Sequence, residues 1–150
     1  MTPGRRPLGF DDFDQIMPDV QRLLGGCSTV GKWSLAQICR HLSAALRGTA
    51  DLPATTPQDP SLWIGEELRR QIFESGQLLE GYAAPPAMVP EGTPCKKSEA
   101  EGLRQSIAYY GTSDGPVIPH LYIGPLTKAE WDRFHLIHAA HHLSFAIPNA

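Results

Sequence analysis

Three observations in this sequence predict an all-α fold: three hydroxyl-led capping boxes, apolar residues recurring at helical spacing, and no segment that alternates with a period of two. The expected architecture is a four-helix bundle with long proline-rich crossover loops and one short extra helix. Val117 to Ile123 comes nearest to a strand, but it is short and Pro119 interrupts it.

Residues 1–9 read as an irregular tail. Residues 11–24 form the first helix, with Asp11 as cap and Phe13, Ile16, Val20, Leu23 and Leu24 on one face. Gly25-Gly26 ends it, and Pro18 kinks or shortens it. Ser34-Leu-Ala-Gln37 boxes the next helix, whose stripe of Leu35, Ile38, Cys39, Leu42, Ala45 and Leu46 stops near Gly48. The Pro-, Thr- and Asp-rich run from Gly48 to Asp59 is a loop, after which Asp59-Pro60 opens a shorter helix over 61–75. Residues 81–96, with four prolines and two glycines, predict an extended wrapping loop. Ser98-Glu-Ala-Glu101 boxes a third long helix ending near Tyr109-Tyr110-Gly111, and a second loop covers 111–126. Thr127-Lys-Ala-Glu130 starts the last helix.

A chain of 150 residues supports one core, so a single domain spanning 1–150 is expected. Apolar content of 41% and charged content of 19% are ordinary for a soluble globular protein, and no run of about 18 apolar residues could span a bilayer. The net charge is −3, and the densest basic spots are only Arg5-Arg6, Arg69-Arg70 and Lys96-Lys97, which argues against nucleic acid or an acidic membrane as partner. Asp11, Asp12 and Asp14 follow the first arginines where an export signal would place its apolar region. Cys27, Cys39 and Cys95 are odd in number and lack C-x-x-C spacing, which points to a reducing cytoplasm without a disulfide framework.

The last helix carries the chemistry. His135, His138, His141 and His142 put four of the six histidines within eight positions. Taking Trp131 as zero at about 100° per residue, His135 falls near about 40°, His138 near about −20° and His142 near about 20°, whereas His141 lies about 80° away. His138 and His142 can therefore aim two ring nitrogens at one point, as a helix does when it supplies two ligands to a metal ion. A catalytic site of this kind takes a third protein ligand, and His41 is the only histidine on another helix. His135 is the candidate fourth ligand or a supporting hydrogen-bond partner. His141 faces a neighbouring helix or solvent, unless a one-residue register shift exchanges it with His142. His120, in the loop before the last helix, reaches the pocket mouth or supports a ligand. Trp33, Trp131 and Phe134 read as core, and Tyr109 or Tyr110 as packing residues with a proton-donor role as the alternative. No glutamate follows His138, so the H-E-x-x-H protease arrangement is absent, and so are glycine-rich phosphate loops.

The order Trp33-x-x-x-x-x-x-x-His41 on an early helix, then His138-x-x-x-His142 on the last, resembles the DinB/YfiT-like superfamily of small metalloenzymes. The tail Gly124-Pro-Leu-Thr-x-x-x-Trp131 followed by His138-Ala-Ala-His-His142-Leu-Ser-Phe looks like one of its bacterial branches. The resemblance spans about Phe10 to Pro148. It implies a four-helix bundle, a divalent ion such as zinc or nickel on His41, His138 and His142, and relatives that use mycothiol or bacillithiol in transfer and isomerisation. The family's last ligand is often followed by Arg-Gly-Gln; here Leu143-Ser144-Phe145 follows. The leading expectation is a cytoplasmic metal-dependent transferase or hydrolase acting on a small-molecule substrate, with a low-molecular-weight thiol as co-substrate and a homodimer as one assembly state. The rival is a non-enzymatic bundle, with structural metal or none, serving dimerisation or a stress response.

Overall fold

Five α-helices carry nearly half of the residues described by this computed structural model, which are 2–80, 88–92 and 94–150. They are α1 (Ile16–Leu24), α2 (Leu35–Asp51), α3 (Glu66–Ser75), α4 (Lys96–Thr112) and α5 (Lys128–Leu143). Single 3-10 turns occupy Phe13–Gln15 and Pro60–Leu62, and two short strands, β1 (Cys27–Thr29) and β2 (Ala146–Pro148), pair antiparallel with Ser28 opposite Ile147. The protein is thus mainly α. Among the described residues, no helix is long and apolar enough to cross a membrane.

Two of the capping boxes form as read. The Ser34 and Thr127 hydroxyls accept the Gln37 and Glu130 amides, while the Gln37 and Glu130 side chains accept the cap amides in return. Each box satisfies two of the orphan groups at a helix start. They fix where α2 and α5, the helices that carry the candidate ligands, begin.

The apolar stripes meet in one main cluster. It joins Ile16, Val20 and Leu23 of α1, Ile38 and Leu42 of α2, Leu103 and Tyr110 of α4, and Leu136 and Leu143 of α5. Each such side chain contributes about 1.5–3 kcal/mol when fully buried. A second, smaller cluster forms around Ile123, Trp131 and Phe134, with Ile64 and Phe73 packed against it. Because α5 contributes to both, it is buried around most of its circumference, as an interior helix should be.

The tail 2–9 is irregular but docked. Arg6 places both terminal nitrogens on Asp19, 2.8 and 2.9 Å away, and one of them also donates to the Leu143 carbonyl at the end of α5. Arg5 pairs with Glu80 and lies over the Phe145 ring. The carbonyl of Ser144, just past α5, accepts the Arg6 amide at 2.9 Å, so the tail satisfies groups that a helix end leaves open.

Several boundaries differ from the sequence reading. The first helix is split: Asp12 precedes a 3-10 turn without a side-chain cap bond, and α1 begins only at Ile16. Pro18 sits in the first turn of α1, where its missing N–H breaks no helical bond, so the helix accommodates it. Helix α2 runs through Gly48 to Asp51, since Leu46 and Ala45 hold its last turn against the core. Asp59-Pro60 opens only the 3-10 turn, and α3 starts after Gly65, whose φ of 89° interrupts the chain path. Ser98 is not a cap, because α4 already starts at Lys96 behind Cys95. The β1/β2 ribbon was not expected at all. The predicted loop over 81–96 lies outside the described residues at 81–87 and 93, and its end from Lys96 is helical.

Candidate metal centre

Helix geometry brings the site together. His41 sits two turns into α2 behind the Ser34 cap, and His138 and His142 are one turn apart on α5. The His41 and His142 Nε2 atoms each stand 3.1 Å from the Nε2 of His138. All three ligand atoms lie within 4.8 Å of one another, and this group can hold a metal ion.

The protons show why. The Nδ1 of His41 is 2.8 Å from the Met88 carbonyl, which only accepts, so Nδ1 carries the proton and Nε2 keeps its lone pair. One proton on His138 cannot be aimed well at both neighbours, so whichever tautomers the other rings adopt, one nitrogen pair is left poorly matched. A cation among the three nitrogens resolves this. Imidazole nitrogens bound at about 2.0–2.1 Å, at angles of about 90–110°, stand about 2.9–3.4 Å apart, and the closest pairs here fall inside that range. The Met88 contact is also the outer hydrogen bond that orients a ligating histidine.

Aromatic rings hold the imidazoles in place. Trp33 stacks on His142 at 5.3 Å and leans on His41 at 4.8 Å, while Phe134 lies parallel to His138 at 5.5 Å. These two residues are part of the site wall, which corrects their reading as core alone. Burial is the main cause that holds all three imidazoles below their ordinary range, and for His138 and His142 the neighbouring imidazoles push the same way. Neutral imidazole is the metal-binding form.

The site opens on a cavity of about 840 Å³ lined mainly by apolar side chains, among them Ile38, Ile72, Leu78 and Ile123, where the two apolar clusters meet. His41, His138 and His142 form part of its wall.

The remaining histidines have other partners. His135 is 3% exposed and faces Thr49 at 3.0 Å. Because the Thr49 hydroxyl donates to the Ala45 carbonyl, the His135 Nε2–H must donate to Thr49. His135 therefore stands apart from the three-histidine group, and burial lowers its pKa to about 3. His141 turns Nδ1 to Arg5 at 3.3 Å and packs edge-on to Phe145, leaving His142 as the converging member of the adjacent pair. His120 lines the cavity, with Nδ1 accepting the amides of Tyr122 and Ile123 at 3.0 and 3.1 Å. Tyr110 is a core residue donating to Asp132 at 2.7 Å, and Trp131 donates from Nε1 to the Ile118 carbonyl. Tyr109, half out in solvent, pairs with Asp51.

Met88 is the site contributor that sequence reasoning missed. It acts through its carbonyl, which no side-chain pattern encodes. Trp33 was visible in the sequence just before the Ser34 cap, but its place against His41 and His142 follows from the turn into α2 and not from helical spacing.

A family model described as "Protein of unknown function (DUF1569)" matches residues 3–149. No curated protein and no solved structure matches the chain.

Proposed function

We propose that this chain, which belongs to the DUF1569 family, is a metal-dependent enzyme, a transferase or hydrolase, built on a four-helix arrangement of the DinB/YfiT-like kind. The observation that carries this reading is the convergence of the His41, His138 and His142 Nε2 atoms at one end of a large apolar cavity. Zinc or nickel, the ions that the DinB/YfiT-like resemblance implies, suit this all-imidazole set. When bound, it supplies Lewis-acid polarisation of an oxygen or sulfur donor, undiminished by any ligand carboxylate.

The protein's own groups do the rest. Met88 fixes the tautomer of His41, and Trp33 and Phe134 hold the imidazole planes and keep water from their faces. His135 is occupied by Thr49, so it does not close the set with a fourth imidazole, which favours an open catalytic centre over a structural staple. The apolar wall suits a small organic substrate, and a low-molecular-weight thiol is the co-substrate proposed for transfer. The free cysteines, with Cys39 buried and its thiol pushed up to about 12, fit a reducing cytoplasm.

The test is activity that follows the metal. Zinc- or nickel-loaded protein is assayed for thiol transfer to 1-chloro-2,4-dinitrobenzene and for hydrolysis of p-nitrophenyl esters, beside His138→Ala. Turnover that needs the ion and disappears in the variant supports the reading; full turnover after removing the ion contradicts it.

A further inference from the structure

His120, like His135 and His141, stands outside the three-imidazole group and lines the same cavity. Its turn is tightly built: the His120 and Gly124 backbones exchange hydrogen bonds at 2.8 and 3.0 Å, and Gly124 closes the turn at a φ of 93°. Inside that turn the Nδ1 of His120 accepts two amides, those of Tyr122 and Ile123. An atom accepting two N–H groups cannot also carry a proton, so the proton of the neutral ring is on Nε2. Taking a second proton at Nδ1 would break both amide bonds, and burial also pushes the ring down to about 4, so the imidazole stays neutral. Among the described residues, Nε2 has no hydrogen-bond partner, although the ring is packed against Phe134 at 4.4 Å and Trp131 at 5.4 Å.

We propose that His120 is a fixed, neutral Nε2–H donor to an acceptor oxygen of the substrate, placed across Phe134 from the three-histidine group. This rests on the enzyme reading above and narrows the substrate class. Phe134 lies 4.4 Å from His120 and 5.5 Å from His138, measured between ring centroids. Those two steps set an upper bound on the distance between the His120 and His138 rings, and both rings line the same cavity, so one ring-sized molecule held there meets both poles. The substrate is an apolar, ring-sized compound with a carbonyl-type oxygen at the His120 end and its reacting donor at the three-imidazole end. A neutral donor polarises a carbonyl without surrendering a proton to it, which is how neutral imidazole serves as an electrophile in other enzymes.

The probes are acetophenone, which offers the acceptor oxygen, and ethylbenzene, which has nearly the same shape without it. With zinc-loaded protein, ¹⁵N spectra of the histidine rings should show His120 as the Nε2–H tautomer, and acetophenone but not ethylbenzene should move that signal. In His120→Phe, acetophenone affinity should fall about tenfold with ethylbenzene unchanged, as loss of one buried hydrogen bond predicts. An Nδ1–H tautomer, or equal responses to the two probes in the wild type, overturns the proposal even if the variant misfolds. Zinc content is measured on the same samples. Bound zinc with no acceptor effect sinks the role of His120 alone, whereas an acceptor effect without bound zinc upholds His120 and sinks the metal reading.

Discussion

His135 shows how a buried imidazole ties stability to pH. In the unfolded chain it takes a proton near about 6.5, but in the folded protein not until about 3, so between those values the unfolded state binds more protons. Stability from this residue is complete above the unfolded value and is lost as pH falls through that window. One such group lowers stability by about 2 kcal/mol between about pH 7 and about pH 5. The melting temperature of chelator-treated protein should drop on acidification. His135→Gln, which can still donate to Thr49, should make that drop shallower by the share of one histidine, because burial also lowers His41, His120, His138, His141 and His142; an equally steep profile would show that His135 is not responsible. The neighbouring pair separates by partner: His141→Ala should keep the bound ion, because His141 is turned to Arg5, whereas His142→Ala should release it. The converging pair on α5 was readable because helical periodicity places His138 and His142 together and His141 aside. Phe134 as a wall residue was not, because an aromatic at helical spacing looks the same whether it fills a core or lines a cavity.

Among elements, α5 depends on its first residues. Thr127→Ala removes the hydroxyl that caps Glu130 and should cost about 1 kcal/mol of stability while leaving metal content intact, as read by thermal unfolding beside elemental analysis. The turn 120–124 depends on its glycine. Gly124 has a φ of 93°, and a Cβ there would meet the Trp63 ring at 3.1 Å, so Gly124→Ala should destabilise the protein by about 1–2 kcal/mol and disturb His120. Unchanged melting would mean the turn relaxes freely. Long elements with a box and a stripe, α2 and α5, were legible from the sequence. The β1/β2 ribbon was not, because three-residue strands offer no period to read and Cys27 pairs with Pro148 from the far end of the chain. The start of α4 was hidden for a different reason. Ser98 followed by Glu101 matches a box in letters, while Cys95 at the actual start makes no side-chain cap bond that would mark it.

For the whole molecule, the candidate site rests on two helices meeting. α2 brings His41 and α5 brings His138 and His142, and both helices also build the main apolar cluster, so the packing that stabilises the fold also sets the distances of the site. A helical fold and the clustering of His41, His138 and His142 were foreseeable from motif order and spacing. The cavity was not, because its wall draws on α3, the 120–124 turn and residues near Met88, segments with no shared sequence pattern. Metal content by mass spectrometry on tag-free protein tests this account most directly, with wild type beside His41→Ala and His142→Ala. About one equivalent of zinc or nickel in the wild type, lost in both variants although the substitutions lie on different helices, is the expected result. Folded wild-type protein that takes up no ion even after loading with zinc and nickel would contradict it.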